Sequence, residues 1–240
     1  MICTERKKEL DKMPPSGNYN HNIFINFPSN KEYLPIFRAI IFAIQANGFI
    51  PIFSAQRTGG EPRFEKICSI ISECNYAIHD ISLVNLDRRT SLPRFNMAFE
   101  LGLYLGCKKF GKTCHQSKNF LVLDKIPHQT KKTLSDLDHI DSVGYRNSRF
   151  EALKKVNTWL CQERGNDIIG NAWLVSRFKK FERIYPDLCK KLGVDFKNPE
   201  IQDELILSGK FLYEEQRKVF QLRDAISIKD NVEIKLIKYK

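Results

Sequence analysis

What most restricts the fold available to this chain is an alternation, over its first 165 residues, of short apolar runs with longer stretches of helical period. The runs "NIFINF" (22–27), "FIPIFSA" (49–55), "YAIHDIS" (76–82) and "NFLVLD" (119–124) are short, apolar and bounded by polar residues, as strands are. Between them, "PSNKEYLPIFRAIIFAIQANG", "PRFEKICSIISEC" and "FNMAFELGLYLGCKKFG" place apolar residues three and four apart, and "SRFEALKKVNTWLCQER" (148–164) follows the last run. Each gap between runs is long enough to hold the crossover that a parallel pair of strands requires. The expected fold is α/β: a three-layer Rossmann-like (flavodoxin-like) parallel sheet with helices on both faces.

Local signals place the boundaries. Ser29, with Glu32 three positions on, has the pattern of a capping box, so the first helix is expected to begin near Asn30. Asn47-Gly48 has the pattern of its C-terminal stop. Pro51 cannot donate to a ladder, which points its strand to a sheet edge or makes it the first ladder residue. "NFLVLD" is nearly continuous in apolar character, as a central strand buried on both faces is. Residues 125–146 have no clear pattern.

From Gly165 onward the strand runs stop, and two charge-rich helical stretches follow, "NAWLVSRFKKFERIYPDLCKKLGV" and "IQDELILSGKFLYEEQRKVFQLRD". Residues 166–240 therefore read as a helical C-terminal appendage, ending in "NVEIKLIKYK", which alternates like a short strand. Residues 1–20 are polar, lack the apolar segment of a secretory signal and read as a flexible lead-in to a domain spanning 21–165.

Composition narrows the function classes. The longest apolar run, "LPIFRAIIFAI", is interrupted by Arg38 and falls short of the ~18 residues of a membrane span. Seven cysteines, an odd number without a C-x-x-C pair, argue against a disulfide framework or a zinc site, and Cys114-His115 is an isolated neighbour pair. A reducing, cytoplasmic setting is expected, with no resident cofactor or metal. The net charge of +11 would attract a polyanion. The basic residues are scattered through "KKFGK", "HQTKK", "RFKKFER" and "KLIKYK", a pattern that fits a solvated basic surface better than a nucleic-acid groove.

In open parallel sheets ligands bind outside the carboxyl ends of the strands. After the first strand stand Asn26, Phe27, Pro28, Ser29 and Asn30, and the amides of the following helix start suit a phosphate; Ser29 as a plain helix cap is the alternative. Asp80 ends "YAIHD" and is expected to point into the same crevice. Glu100, flanked by Phe99 and Leu101, should be at least partly desolvated, which costs several kcal/mol unless the charge is paired or put to use. Gly102 and Gly106, four apart, would let the back of that helix approach the sheet. Two acids at one crevice suit glycosidic chemistry, one at the anomeric carbon and the other helping the base to leave.

A strand leading to a nucleotide-sized loop, then "HDIS", then an "AFELG" helix, resembles the nucleoside 2-deoxyribosyltransferase-like superfamily, which neighbours the TIR-type NAD-cleaving domains. The resemblance covers roughly residues 22–125. It implies an N-glycosidase acting on a nucleotide, most simply an NAD hydrolase, with Glu100 as nucleophile or oxocarbenium stabiliser and Asp80 at the ribose or leaving base. Where the transferases carry an acidic residue and a Gly-Thr pair, this chain has "PRFNMAFE". Arg94 and Asn96 stand there instead, and an arginine grips phosphate bidentately. Ser29, Asn30 and Arg94 are thus the expected phosphate ligands, and Phe27 and Tyr33 the stacking partners of a base. Many relatives serve prokaryotic antiviral defence through self-assembly or a protein partner, which the resemblance extends to this chain. The rival reading is a nucleotide-sensing or protein-binding module that has kept the fold and lost turnover.

Overall fold

The computed structural model describes residues 17–56, 59–82, 95–127, 134, 140–165 and 169–216. Of the lead-in expected over 1–20, residues 1–16 lie outside the described residues, as do the loop 83–94 and the terminal strand at 231–240; residues 17–20 instead form a turn that buries Tyr19, its hydroxyl bonded to the Cys114 carbonyl, so the domain begins earlier than expected. Five strands, β1 (Asn22–Asn26), β2 (Ile50–Ile52), β3 (Tyr76–Asp80), β4 (Asn119–Asp124) and β5 (Ser142–Gly144), form one sheet in the order β2-β1-β3-β4-β5, all neighbours parallel. This is the flavodoxin-like order, so the fold is the three-layer Rossmann-like one. Pro51 does lie on an edge strand, and "NFLVLD" is paired on both sides.

Alternation along the strands assigns the faces. Ile23, Ile25, Ile78, Leu121 and Leu123 point to one side, and Phe24, Ala77 and Val122 to the other. The first side is covered by α1 (Leu34–Ala46) and α4 (Arg149–Arg164), the second by α2 (Arg63–Glu73) and α3 (Asn96–Phe110). Ser148 caps α4 by accepting from the Glu151 amide, and α1 stops at Asn47-Gly48, with Gly48 at φ +74°.

The start of α1 differs from expectation. Residues Lys31–Tyr33 form a single 3-10 turn, the α-helix proper begins at Leu34 with Pro35 in its first turn, and no side chain caps either start. Proline in the first turn needs no hydrogen bond to its missing N–H, so the capping box of Ser29 and Glu32 is dispensable.

α1 is buried on nearly every side, from Ile36 through Ile44 except Arg38. The outer cover comes from α5 (Asn171–Leu192) and a further helix, α6 (201–216). Phe42 packs against Phe178, Phe181 and Phe211, so these helices share the core cluster of the sheet's first face. At its centre Arg38 forks onto Glu204 with two bonds of 2.7 Å, Tyr185 donates to the same carboxylate at 2.9 Å, and the guanidinium lies 3.8 Å above the Tyr185 ring. Charge-assisted bidentate bonds of this kind lock α1, α5 and α6 in one register.

On the second face, the side chain of Lys118 is buried and donates to the carbonyls of Ile71 and Cys74, which end α2. Burial lowers its pKa to about 8. A cation at a helix C-terminus neutralises the carbonyls left over there.

Candidate functional site

A cavity of about 120 Å³ opens where the carboxyl ends of β1 and β2 meet the first turns of α2 and α3. Its polar side chains are Asn26, Ser29, Ser54, Arg63, Asn96 and Glu100. In this strand order the chain leaves β1 to one side for β2 and returns to the other for β3, and the helices after β1 and β3 lie on opposite faces. The reversal leaves a crevice above β1, the usual ligand position in such sheets. A second cavity of about 100 Å³ adjoins it, lined by Asn30, Lys31, Tyr33 and Phe37, and the two share Phe27, Pro28, Ser29 and Ile201.

Glu100 is 6% exposed and faces the first cavity from α3. Burial raises the pKa of its carboxyl, and Arg63 opposes that rise from 3.6 Å. The Arg63 side chain is itself 69% exposed. A largely solvated cation beside a desolvated carboxylate is a loose pair, open to exchange with a ligand's charge.

The helix presents Glu100 for a reason other than the one its glycines suggest. A Cβ on Gly102 or Gly106 would meet nothing within 4 Å, and Phe95 and Phe99 are largely exposed. α3 instead docks through Met97, Leu101 and Tyr104, with Glu100 on the same buried side. The Tyr104 hydroxyl lies 2.8 Å from the Asn75 carbonyl and 2.9 Å from the Asn119 carbonyl, its one proton shared between them, which pins the helix to the amino ends of β3 and β4.

Asp80 is placed differently from the expectation. It is wholly buried and does not line the cavity that Glu100 faces. Tyr33 donates its hydroxyl to Asp80 Oδ2 at 2.5 Å, the Ser82 amide donates to Oδ1 at 2.9 Å, and Tyr145 donates to Ser82 Oγ at 3.0 Å. Burial pushes the carboxyl up to about 6, the Ser82 and Tyr33 bonds holding it back. The strand end therefore turns its acid into a closed knot of hydroxyls, and the two acids do not share a crevice.

The remaining expected residues divide. Phe27, Ser29 and Asn96 line the Glu100 cavity, and Asn30 and Tyr33 the adjoining one. Phe27 is stacked on Phe37 at 4.1 Å between ring centres, and Tyr33 is tied to Asp80. Arg94 lies outside the described residues. Sequence reasoning did not single out Arg63, Ser54 or Ile201. Arg63 and Ser54 follow the carboxyl end of β2, the position that the strand-end rule would have inspected.

One further feature joins the cavity to the core. Asn26, 3% exposed, donates from Nδ2 to the Met97 carbonyl at 2.8 Å and lies 3.0 Å from His79 Nδ1. His79 is fully buried, its pKa lowered to about 3 by desolvation, with Phe24, Tyr104 and Phe120 around its ring.

No protein-family model, no curated protein and no solved structure matches this chain. The class defined by fold and site is a flavodoxin-ordered α/β protein with a buried carboxylate at its switch-point crevice. Among the described residues no cluster of acids, histidines and cysteines fit to hold a metal ion is formed, and no helix is long and apolar enough to cross a membrane.

Proposed function

We propose that the protein is a nucleotide N-glycosidase whose best substrate class is a pyridinium nucleotide, with hydrolysis of NAD as the reaction. The observation that carries this reading is Glu100, a desolvated carboxylate facing a cavity at the carboxyl ends of β1 and β2 with one solvated arginine beside it.

The chemistry follows from the one acid that lines the cavity among the described residues. Breaking a glycosidic bond develops positive charge at the anomeric carbon, which a carboxylate in a low-dielectric site stabilises or captures. A purine or pyrimidine of an ordinary nucleotide departs as an anion unless an acid protonates it. Nicotinamide needs no such acid: its ring nitrogen is cationic in NAD and takes the bonding pair on departure to become neutral. Water then bonds to the anomeric carbon and releases a proton. Glu100 alone among the acids lines the described cavity, and Asp80 is enclosed elsewhere, which favours the leaving group that departs neutral. Ser29, Ser54 and Arg63 are the groups available to a phosphate, and the aromatic wall of Phe27 borders the second cavity, where a base would lie.

The enclosure of Asp80 also favours a second reading, a nucleotide-sensing module of the same fold without turnover. The two are separated by incubating the purified protein with NAD, alone and with candidate partners, and measuring released nicotinamide. Release that falls at least about a hundredfold in Glu100→Gln is expected. Release at an unchanged rate in that variant overturns the catalytic role, and saturable NAD binding without product makes the protein a sensor.

A further inference from the structure

Resting on the nucleotide reading above, we infer that Asn26, held by His79, is the residue that reads a hydroxyl of the nicotinamide ribose in the Glu100 cavity, so that the ligand is preferred over its counterpart lacking that hydroxyl.

The orientation of the Asn26 amide is settled by its partners. The Met97 carbonyl can only accept, so the atom 2.8 Å from it is the amide nitrogen. The same nitrogen lies 3.0 Å from His79 Nδ1. His79 is buried and held neutral, so its Nδ1 serves as an acceptor and its one proton sits on Nε2. Nε2 has no hydrogen-bond partner, the aromatic rings of Phe24, Tyr104 and Phe120 being its surroundings. Both N–H groups of Asn26 are thereby committed to the protein. Its Oδ1 is the polar atom left over, without a hydrogen-bond partner among the described residues, on a residue that lines the cavity and is 3% exposed.

An acceptor on a cavity-lining residue that no described protein donor answers is available to a donor on a ligand. In this cavity the neighbouring acceptor is Glu100. Two acceptors on one cavity fit a group that offers donors, beside the phosphate for which Ser29, Ser54 and Arg63 are available. The hydroxyls of a furanose are such a group. The flat apolar surfaces of Phe27, Tyr33 and Phe37 line the adjoining cavity and suit a base instead. His79 does not touch the ligand: it is a positioning residue that prevents the amide from turning its nitrogen inward.

The test is calorimetric titration, on ice, of the full chain with NAD and with NAD analogues lacking either the 2′- or the 3′-hydroxyl of the nicotinamide ribose, nicotinamide release being followed in the same samples. One of the two analogues should bind about tenfold more weakly than NAD, the effect of one hydrogen bond to a buried acceptor. In Asn26→Ala that difference should vanish, because NAD weakens while the deficient analogue does not. In His79→Phe, which keeps an aromatic ring among its aromatic neighbours, it should shrink. A merely structural role for either residue would weaken all three ligands alike and overturns the inference. So does equal binding of NAD and both analogues by the unaltered protein, an arm that needs no variant to fold. In those cases NAD binding or cleavage still stands as evidence for the nucleotide reading, whereas a protein that neither binds nor cleaves NAD overturns both.

Discussion

Two buried glutamates in this molecule face an arginine, and the contrast between them separates what holds the fold from what is available to a ligand. Glu204 meets Arg38 in two bonds of 2.7 Å, accepts a third from Tyr185, and its arginine is only 15% exposed. Glu100 meets Arg63 once, at 3.6 Å, and that arginine is mostly in solvent. In the first pair every charge is answered inside the protein, and exchange for an outside partner would leave a buried ion alone. In the second, desolvation of the carboxylate is only partly offset, so binding of a cationic or hydroxyl-bearing group recovers what folding left uncompensated.

The largest effect that would break this contrast comes from Arg38→Met. It should cost about 3–5 kcal/mol in urea denaturation, because Glu204 would remain as an unpaired buried charge. Adding Glu204→Leu should recover most of the loss. A single variant within 1 kcal/mol of the parent would mean that the pair does not hold α6 to α1.

Next in size is the pH dependence set by Asp80 and His79, buried groups with no arginine partner among the described residues. Asp80 is pushed up to about 6 from an ordinary 3.8, so its ionised form opposes folding above pH 6 and that cost is relieved as the pH falls toward 3.8. His79 behaves oppositely. Its folded pKa of about 3 lies below the ordinary 6.5, so stability is lost as the pH falls from 6.5 toward 3. Between pH 7 and 5 the loss from His79 is about 2 kcal/mol and the gain from Asp80 about 1 kcal/mol. Thermal melts of the parent should therefore change little over that window, whereas Asp80→Asn should lose about 1 kcal/mol more than the parent across it. Parallel curves would show that Asp80 is not the titrating group.

Glu100→Gln should leave stability unchanged or raise it by about 0.5–1 kcal/mol, since a desolvated charge is removed from a pair that is barely made. A loss above 2 kcal/mol would place Glu100 with Glu204 as a structural acid. The smallest effect belongs to Arg63→Met, expected within about 0.5 kcal/mol of the parent in stability. Its consequence lies in the titration. With the cation gone, burial acts on Glu100 unopposed, and the acid limb of a pH–rate profile for nicotinamide release should move to higher pH. A limb that moves lower, or stays, would mean that Arg63 does not act on Glu100.

Much of the sheet was legible because parallel strands leave a strong trace: "NFLVLD" is β4 to the residue, and β3 is the first five residues of "YAIHDIS", two short of the expected end. β5 was not, because three residues, Ser142, Val143 and Gly144, carry too little apolar pattern to stand out. The outer cover of α1 was not read: "LPIFRAIIFAI" is apolar on nearly all sides and so needs more than a sheet to enclose it, but the helices that enclose it were expected as an appendage because their sequences are rich in charge. Of the site, Glu100 was legible as an acid in an apolar setting, and its burial follows that reasoning. The direction of Asp80 was not, because the last residue of a strand can turn either into the crevice or under it, and Tyr33 and Tyr145, far apart in sequence, decide between the two. The glycines of α3 misled for a related reason: four-residue spacing says that they share a face without saying which face.

Ile201, the first residue of α6, borders both cavities, and its neighbour Gln202 donates to the Ala55 carbonyl at 2.9 Å. One wall of the cleft is thus supplied by the far end of the chain. A ligand that touches Ile201 binds only while the first turn of that helix is in place, so its occupancy is linked to any local opening there. Amide exchange along 201–216 would record that coupling directly, as protection that deepens with ligand concentration.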